Sequence, residues 1–162
     1  MTINQNGLVM QPGQGAAYYF GEDLYTFKAI GAETGEAYAL FEVTVAPQGG
    51  TPLHRHSREH ESFYVQAGEI EFQLDDRTVV ATPGTFLHSP QGQLHRLTNT
   101  TAVPATLLVW VTPAGFEHFI AEVGKAVNGQ VAPAVLTPED LEKILATAPK
   151  YGIEIIPPPS AS

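Results

Sequence analysis

The sequence predicts an all-β fold followed by two short C-terminal α-helices, and three observations carry that prediction. From Leu24 to Val111, short apolar stretches are broken by Gly, Pro, Asp and Asn, the pattern of antiparallel strands joined by turns. Helical periodicity is missing from that stretch. After Pro113 the period changes: Phe116, Phe119, Ile120 and Val123 recur at i, i+3, i+4 and i+7, an apolar stripe suited to a short helix. The chain has 162 residues, a length that fits one domain able to bury a core without disulfides or a structural metal. We therefore expect a single domain over residues 1–162, with a β core at about 24–112, a helical extension at 113–150 and a tail at 151–162.

Taken in order, the expected strands are Tyr25–Ile30, Ala37–Val45, Ser62–Gln66 and Ile70–Leu74, then Thr78–Ala81, Thr85–Ser89, Gly92–Asn99 and Ala105–Thr112. Alternation is clearest in the fourth, where Ile70, Phe72 and Leu74 would face the core and Glu69, Glu71 and Gln73 the water. Asp75 and Asp76 follow it directly, where a tight hairpin turn is expected. In the helical extension, Thr137-Pro138-Glu139-Asp140 reads as an N-cap, a proline at the first helical position and acids in the first turn. That helix should run to about Ala146. Pro157 to Ser160 carries no core-forming pattern and is expected to be frayed or extended.

Composition removes several classes of function. With 17 acidic against 8 basic residues the formal charge is −9, which repels phosphate backbones and anionic membrane surfaces. Nucleic acid and membranes are therefore not expected partners. Zero cysteines exclude thiolate nucleophiles and Cys-ligated metal sites. Met1 to Gly15 is polar, with no basic segment leading into an apolar one, so cytoplasmic residence is the expectation. An open β-barrel leaves edge strands, and Leu8 to Phe20 is expected to add a strand to a neighbour's sheet, which predicts a homodimer.

The chemistry concentrates at His54-Arg55-His56-Ser57-Arg58-Glu59-His60-Glu61, where three of the chain's six histidines crowd together. On an extended segment His54 and His56 point to one side, because side chains alternate with period two, so both imidazoles can reach one ion. Glu61 adds a carboxylate. His95, 34 residues later, can return to the same inner wall if the intervening hairpins close a barrel. His60, next to Glu61, should point away from the ion, while His88 and His118 are read as structural residues.

Two longer patterns frame these residues. His54, His56, Glu61 and Gly68 match Gly-x5-His-x-His-x4-Glu-x6-Gly, except that Gln48 stands where the first glycine is expected. Gly84, Pro90, Gly92, His95 and Asn99 match Gly-x5-Pro-x-Gly-x2-His-x3-Asn in full, with a chance occurrence on the order of one in ten thousand from the chain's own composition. Over roughly Leu24 to Thr112 the chain thus resembles the cupin superfamily. That resemblance implies a double-stranded β-helix, the cupin jelly-roll barrel, holding one divalent metal ion through His54, His56, Glu61 and His95. The Gln48 departure puts a turn in doubt and not the ligands.

Fe, Mn, Ni or Co would keep positions open for substrate or O2, whereas tetrahedral Zn would be filled by the protein. Phe63, Val65 and Leu97 share strand parity with the ligands and are candidate walls of a substrate pocket. The His-x-His-x4-Glu spacing and the Pro113-Ala114-Gly115-Phe116-Glu117 stretch resemble small quercetin dioxygenase-like monocupins. The implied activity is cleavage of a flavonol-like or other enolisable phenol with O2, Glu61 serving as ligand and as catalytic base. A non-catalytic metal-anchored binding or sensor domain is the alternative. A sugar isomerase or epimerase is the second alternative, disfavoured by the apolar parity at Phe63, Val65 and Leu97.

Overall fold

The computed structural model describes residues 7–158, so the last four residues of the expected tail at 151–162 lie outside them. The chain opens with β1 (Ala17–Phe20), β2 (Asp23–Ala29), the single turn α1 (Gly31–Thr34) and β3 (Ala39–Val45). The histidine-rich segment gives β4 (His54–His56) and β5 (His60–Ala67), followed by the hairpin of β6 (Ile70–Leu74) and β7 (Arg77–Ala81). Next come β8 (Phe86–Ser89), β9 (His95–Thr98) and β10 (Ala105–Thr112). Beyond them lie α2 (Phe116–Val123), β11 (Lys125–Ala126), α3 (Pro138–Thr147), a 3-10 turn at Ala148–Tyr151 and β12 (Ile153–Ile155).

The strands form two antiparallel sheets, one ordered β11-β1-β2-β3-β10-β5-β8 and the other β12-β4-β9-β6-β7. Every one of the eight expected strands is present, and the fold is the double-stranded β-helix. Alternation sets the layers: Ala39, Phe41, Val43 and Val45 of β3 are buried while the residues between them are not. Phe41, Phe63, Phe72 and Leu107 are fully enclosed between the sheets. Each such side chain contributes roughly 1.5–3 kcal/mol of burial free energy.

Both helices form where the periodicity places them. Phe116, Phe119, Ile120 and Val123 of α2 are all buried, and Thr137 caps α3 through Asp140 N–H donating to its Oγ1 at 3.1 Å. No helix among the described residues is long and apolar enough to cross a membrane.

Two expectations need correction. Ala17–Phe20 pairs with β2 and β11 of its own chain, so this segment is committed to its own sheet and not to a neighbour's. The region from 151 onward is not all tail: Ile153 pairs with His56 and Ile155 with His54, making β12 the outer neighbour of β4. Two isoleucines around one glutamate are too short a pattern to announce a strand; Ile153 burial and the Arg55–Glu154 ion pair hold it there.

Gln48 adopts φ 62, the left-handed conformation that glycine takes without penalty. The glutamine that stands in place of glycine therefore leaves the turn intact. Its backbone N–H donates to Asn99 O at 2.9 Å and its side chain to Thr101 O at 3.2 Å. Asn99 is fully buried and bonds in both directions: its Nδ2 donates to Val45 O and Val103 O, and its Oδ1 accepts from Thr101. This one side chain ties the end of β3 to the loop before β10.

Candidate metal centre

His54 and His56 stand on β4, Glu61 on β5 and His95 on β9, and one ligating atom from each lies within 4.8 Å of the others. The three imidazoles come from one sheet and the carboxylate from the other, so the cluster bridges the sandwich. His54 sits directly opposite His95 in the β4–β9 pairing, with ring centroids 4.3 Å apart. All four residues are buried.

Each imidazole is anchored through Nδ1, which leaves Nε2 to face the centre. His54 Nδ1 lies 2.8 Å from Pro52 O, and His95 Nδ1 lies 3.0 Å from both Gln93 O and Ser89 Oγ. A carbonyl can only accept, so at His54 the proton belongs on Nδ1 and the Nε2 lone pair is free. His56 is treated differently: its Nδ1 meets the buried carboxylate of Glu59 at 3.2 Å. Supporting partners of this kind fix ring orientation and raise ligand basicity. Glu59 escaped the sequence reading because its contact depends on the turn between β4 and β5, which spacing alone does not reveal.

On the inner side, Glu61 Oε2 lies 2.8 Å from His95 Nε2 and 3.2 Å from His56 Nε2. The second contact is not aligned as a hydrogen bond, and His56 Nε2 is a buried nitrogen without a partner. A buried orphan among three imidazoles and a carboxylate is what a divalent cation would satisfy, and the donor set suits Fe, Mn, Co, Ni or Zn. Burial, with the charges of His95 and His56 adding, pushes His54 down to about 3, so it is neutral. Burial also opposes charge on His56, but Glu61 and Glu59 outweigh it and raise that imidazole to about 9. Burial would lift Glu61, yet the charge of His56 at 3.2 Å and the hydrogen bond with His95 hold it well below the usual carboxylate range.

Phe63 and Leu97 line a small inner cavity of about 20 Å3 together with His54, Glu61 and His95, whereas Val65 is buried on the same strand without touching it. Phe116, in the Pro113–Glu117 stretch, also lines that cavity and sets its ring 5.0 Å from His56. Glu117 fixes the stretch by accepting from Gly115 N at 2.7 Å and Gly31 N at 2.8 Å. His60 is exposed and stacks on His88, which meets Ser62 Oγ at 2.9 Å on the outer face; His118 is exposed on α2.

Residues 41–111 match the family model described as Cupin domain. Over 87 residues, 54% of this chain and 26% of the relative, the sequence is 29% identical to a quercetin 2,3-dioxygenase of Bacillus subtilis. The chain thus spans about a quarter of that relative's length. A predicted oxalate decarboxylase from Thermotoga maritima superposes with TM-score 0.61 at 18% identity, over 65% of this chain and 99% of that one. An RmlC-like cupin from Shewanella frigidimarina gives TM-score 0.59 at 15% identity, over 68% and 94%. Residues 41–111 thus match the Cupin domain model, and the chain resembles cupins in its double-stranded β-helix and in both histidine patterns.

Proposed function

We propose that this chain is a metal-dependent cupin dioxygenase acting on a flavonol-like or other enolisable phenol. The observation that carries the reading is a buried three-histidine, one-glutamate cluster facing a cavity whose other walls are mainly apolar. His54, His56, Glu61 and His95 would hold one divalent ion, which when bound polarises a ligated oxygen and gives O2 access to its electrons. The likeness to the Bacillus subtilis dioxygenase over the matched 87 residues supports the same class of reaction.

The chain's own groups have separable duties. Glu59, Pro52 and Gln93 orient the imidazoles. Phe63, Leu97 and Phe116 exclude water from the cavity. Glu61, held well below the usual carboxylate range, is ionised and would accept the hydroxyl proton at a carboxylate oxygen. Sugar isomerisation fits these walls poorly, because it calls for several polar groups. We also infer a homodimer, supported by the exposed apolar strip of Tyr38, Tyr64 and Phe86, with Phe86 stacked on Trp110, on the outer face of the larger sheet.

The test is oxygen uptake with a flavonol by protein loaded with Fe, Mn, Ni or Co. Glu61→Gln, compared at saturating metal, should be slower by about 10²- to 10⁴-fold. Wild-type turnover in that variant would refute the base. No uptake by wild type with any of the metals would leave a metal-anchored binding domain in place of the dioxygenase.

A further inference from the structure

Tyr25 is the one buried tyrosine of the chain, 6% exposed, and its hydroxyl makes no hydrogen bond among the described residues. A buried phenol usually finds a partner, because a hydroxyl taken out of water without one is costly. The place of Tyr25 on β2 shows where such a partner would stand. It lines the inner cavity together with His54, Glu61 and His95, so the phenol shares that space with three of the four cluster residues.

The rest of the lining is almost wholly apolar. Besides Tyr25 and the cluster it consists of Val43, Phe63, Leu97, Val109, Phe116 and one further hydroxyl, that of Thr51. Thr51 Oγ1 accepts from Leu97 N at 3.2 Å and keeps its own O–H to give. Two hydroxyl donors therefore border the same small space as the cluster.

Size and charge define the ligand. About 20 Å3 admits one water-sized group and no ring. A divalent ion held by one carboxylate and three neutral imidazoles keeps one positive charge, which favours an anion beside it. An anion of that size needs donors for the lone pairs that the metal does not take; the apolar walls offer none, and the two hydroxyls do.

We propose that Tyr25 is a further binding residue of the centre, donating its phenol O–H to one water-sized anionic ligand of the metal, such as hydroxide, with Thr51 as the second donor. This role rests on the metal reading of the cluster and adds to it the place and the donors of the metal's own small ligand.

The experiment loads full-length wild type and Tyr25→Phe with Co²⁺ and titrates each with fluoride and, separately, with ammonia at one pH near neutral, following the visible bands of the cobalt. Both probes are water-sized. Fluoride keeps lone pairs once it is on the metal, whereas ammonia spends its only pair there and has none left to accept from a phenol. Tyr25→Phe keeps the ring and its packing, so Co²⁺ itself should bind as in wild type. Fluoride should bind the variant about 10- to 100-fold more weakly, the worth of a hydrogen bond to a charged acceptor, while ammonia binds both proteins alike. The proposal is overturned if fluoride binds both proteins equally, if cobalt-loaded wild type takes no fluoride, if fluoride and ammonia weaken together, or if the variant loses Co²⁺. Failure of wild type to bind Co²⁺ would remove the metal reading and this role with it, whereas each of the other results removes this role alone.

Discussion

Replacing Glu59 separates orientation of a ligand from ligation itself. Glu59 touches the centre only through His56: its Oε2 stands 3.2 Å from Nδ1, on the far side of the ring from the cluster. It is also the one anionic partner at an Nδ1 position, since the Nδ1 atoms of His54 and His95 meet neutral carbonyl and hydroxyl oxygens. Loss of such a partner lowers metal affinity by about 10- to 100-fold, or about 1.4–2.7 kcal/mol. Glu59→Gln keeps an acceptor of the same reach and should fall near the lower end. Glu59→Ala leaves the ring N–H unbonded and should fall near the upper end. Competition titration of Co²⁺ against a chromophoric chelator at fixed pH measures both. If Glu59→Ala binds within about twofold of wild type while His95→Ala does not bind, the carboxylate plays no part in presenting His56.

Further outcomes follow from the same geometry. In the metal-free protein His56 is raised from its ordinary 6.5 to about 9, so it contributes stability that is complete below about 6.5 and lost as pH rises through 9. The contribution is roughly 3 kcal/mol and should appear as a falling urea midpoint over that window. Because metal must displace the same proton, apparent metal affinity should climb by about tenfold per pH unit up to 9, with about one proton released per ion near neutrality; pH-independent binding would refute this. Asn99→Ala should destabilise the chain by about 2–4 kcal/mol, since Val45 O loses its side-chain donor and Thr101 N–H and Oγ1 lose their shared acceptor. Light scattering should give twice the 17.4 kDa chain mass; a monomer would remove the dimer.

Strand existence was legible wherever alternation ran for four or more residues, as in Ile70–Leu74, and helix starts were legible wherever caps and stripes coincided, as at Thr137. Three-residue strands were not. Nothing local distinguishes Ile153–Ile155 from coil; its pairing partner lies about a hundred residues away, and only the fold brings the two together. The four cluster residues could be named from spacing because alternation and the hairpin count fix which side each faces. Glu59 and Phe116 could not, because their places depend on a turn and on the docking of α2. Gln48 marks a different limit: residue type argued against the turn, while two hydrogen bonds to the Asn99–Thr101 loop hold it in the left-handed conformation.

The pairing of β12 with β4 also bears on how the centre is assembled during synthesis. Arg55 and Glu154 are 99 residues apart in sequence, so at ribosomal rates the strand bearing His54 and His56 waits about 5–20 s for its outer neighbour. Throughout that interval its open edge carries two unfilled imidazoles and a row of free backbone donors and acceptors. The nascent chain is therefore exposed to mispairing at the edge that carries two of the proposed ligands, and pairing of the C-terminal strand ends that hazard.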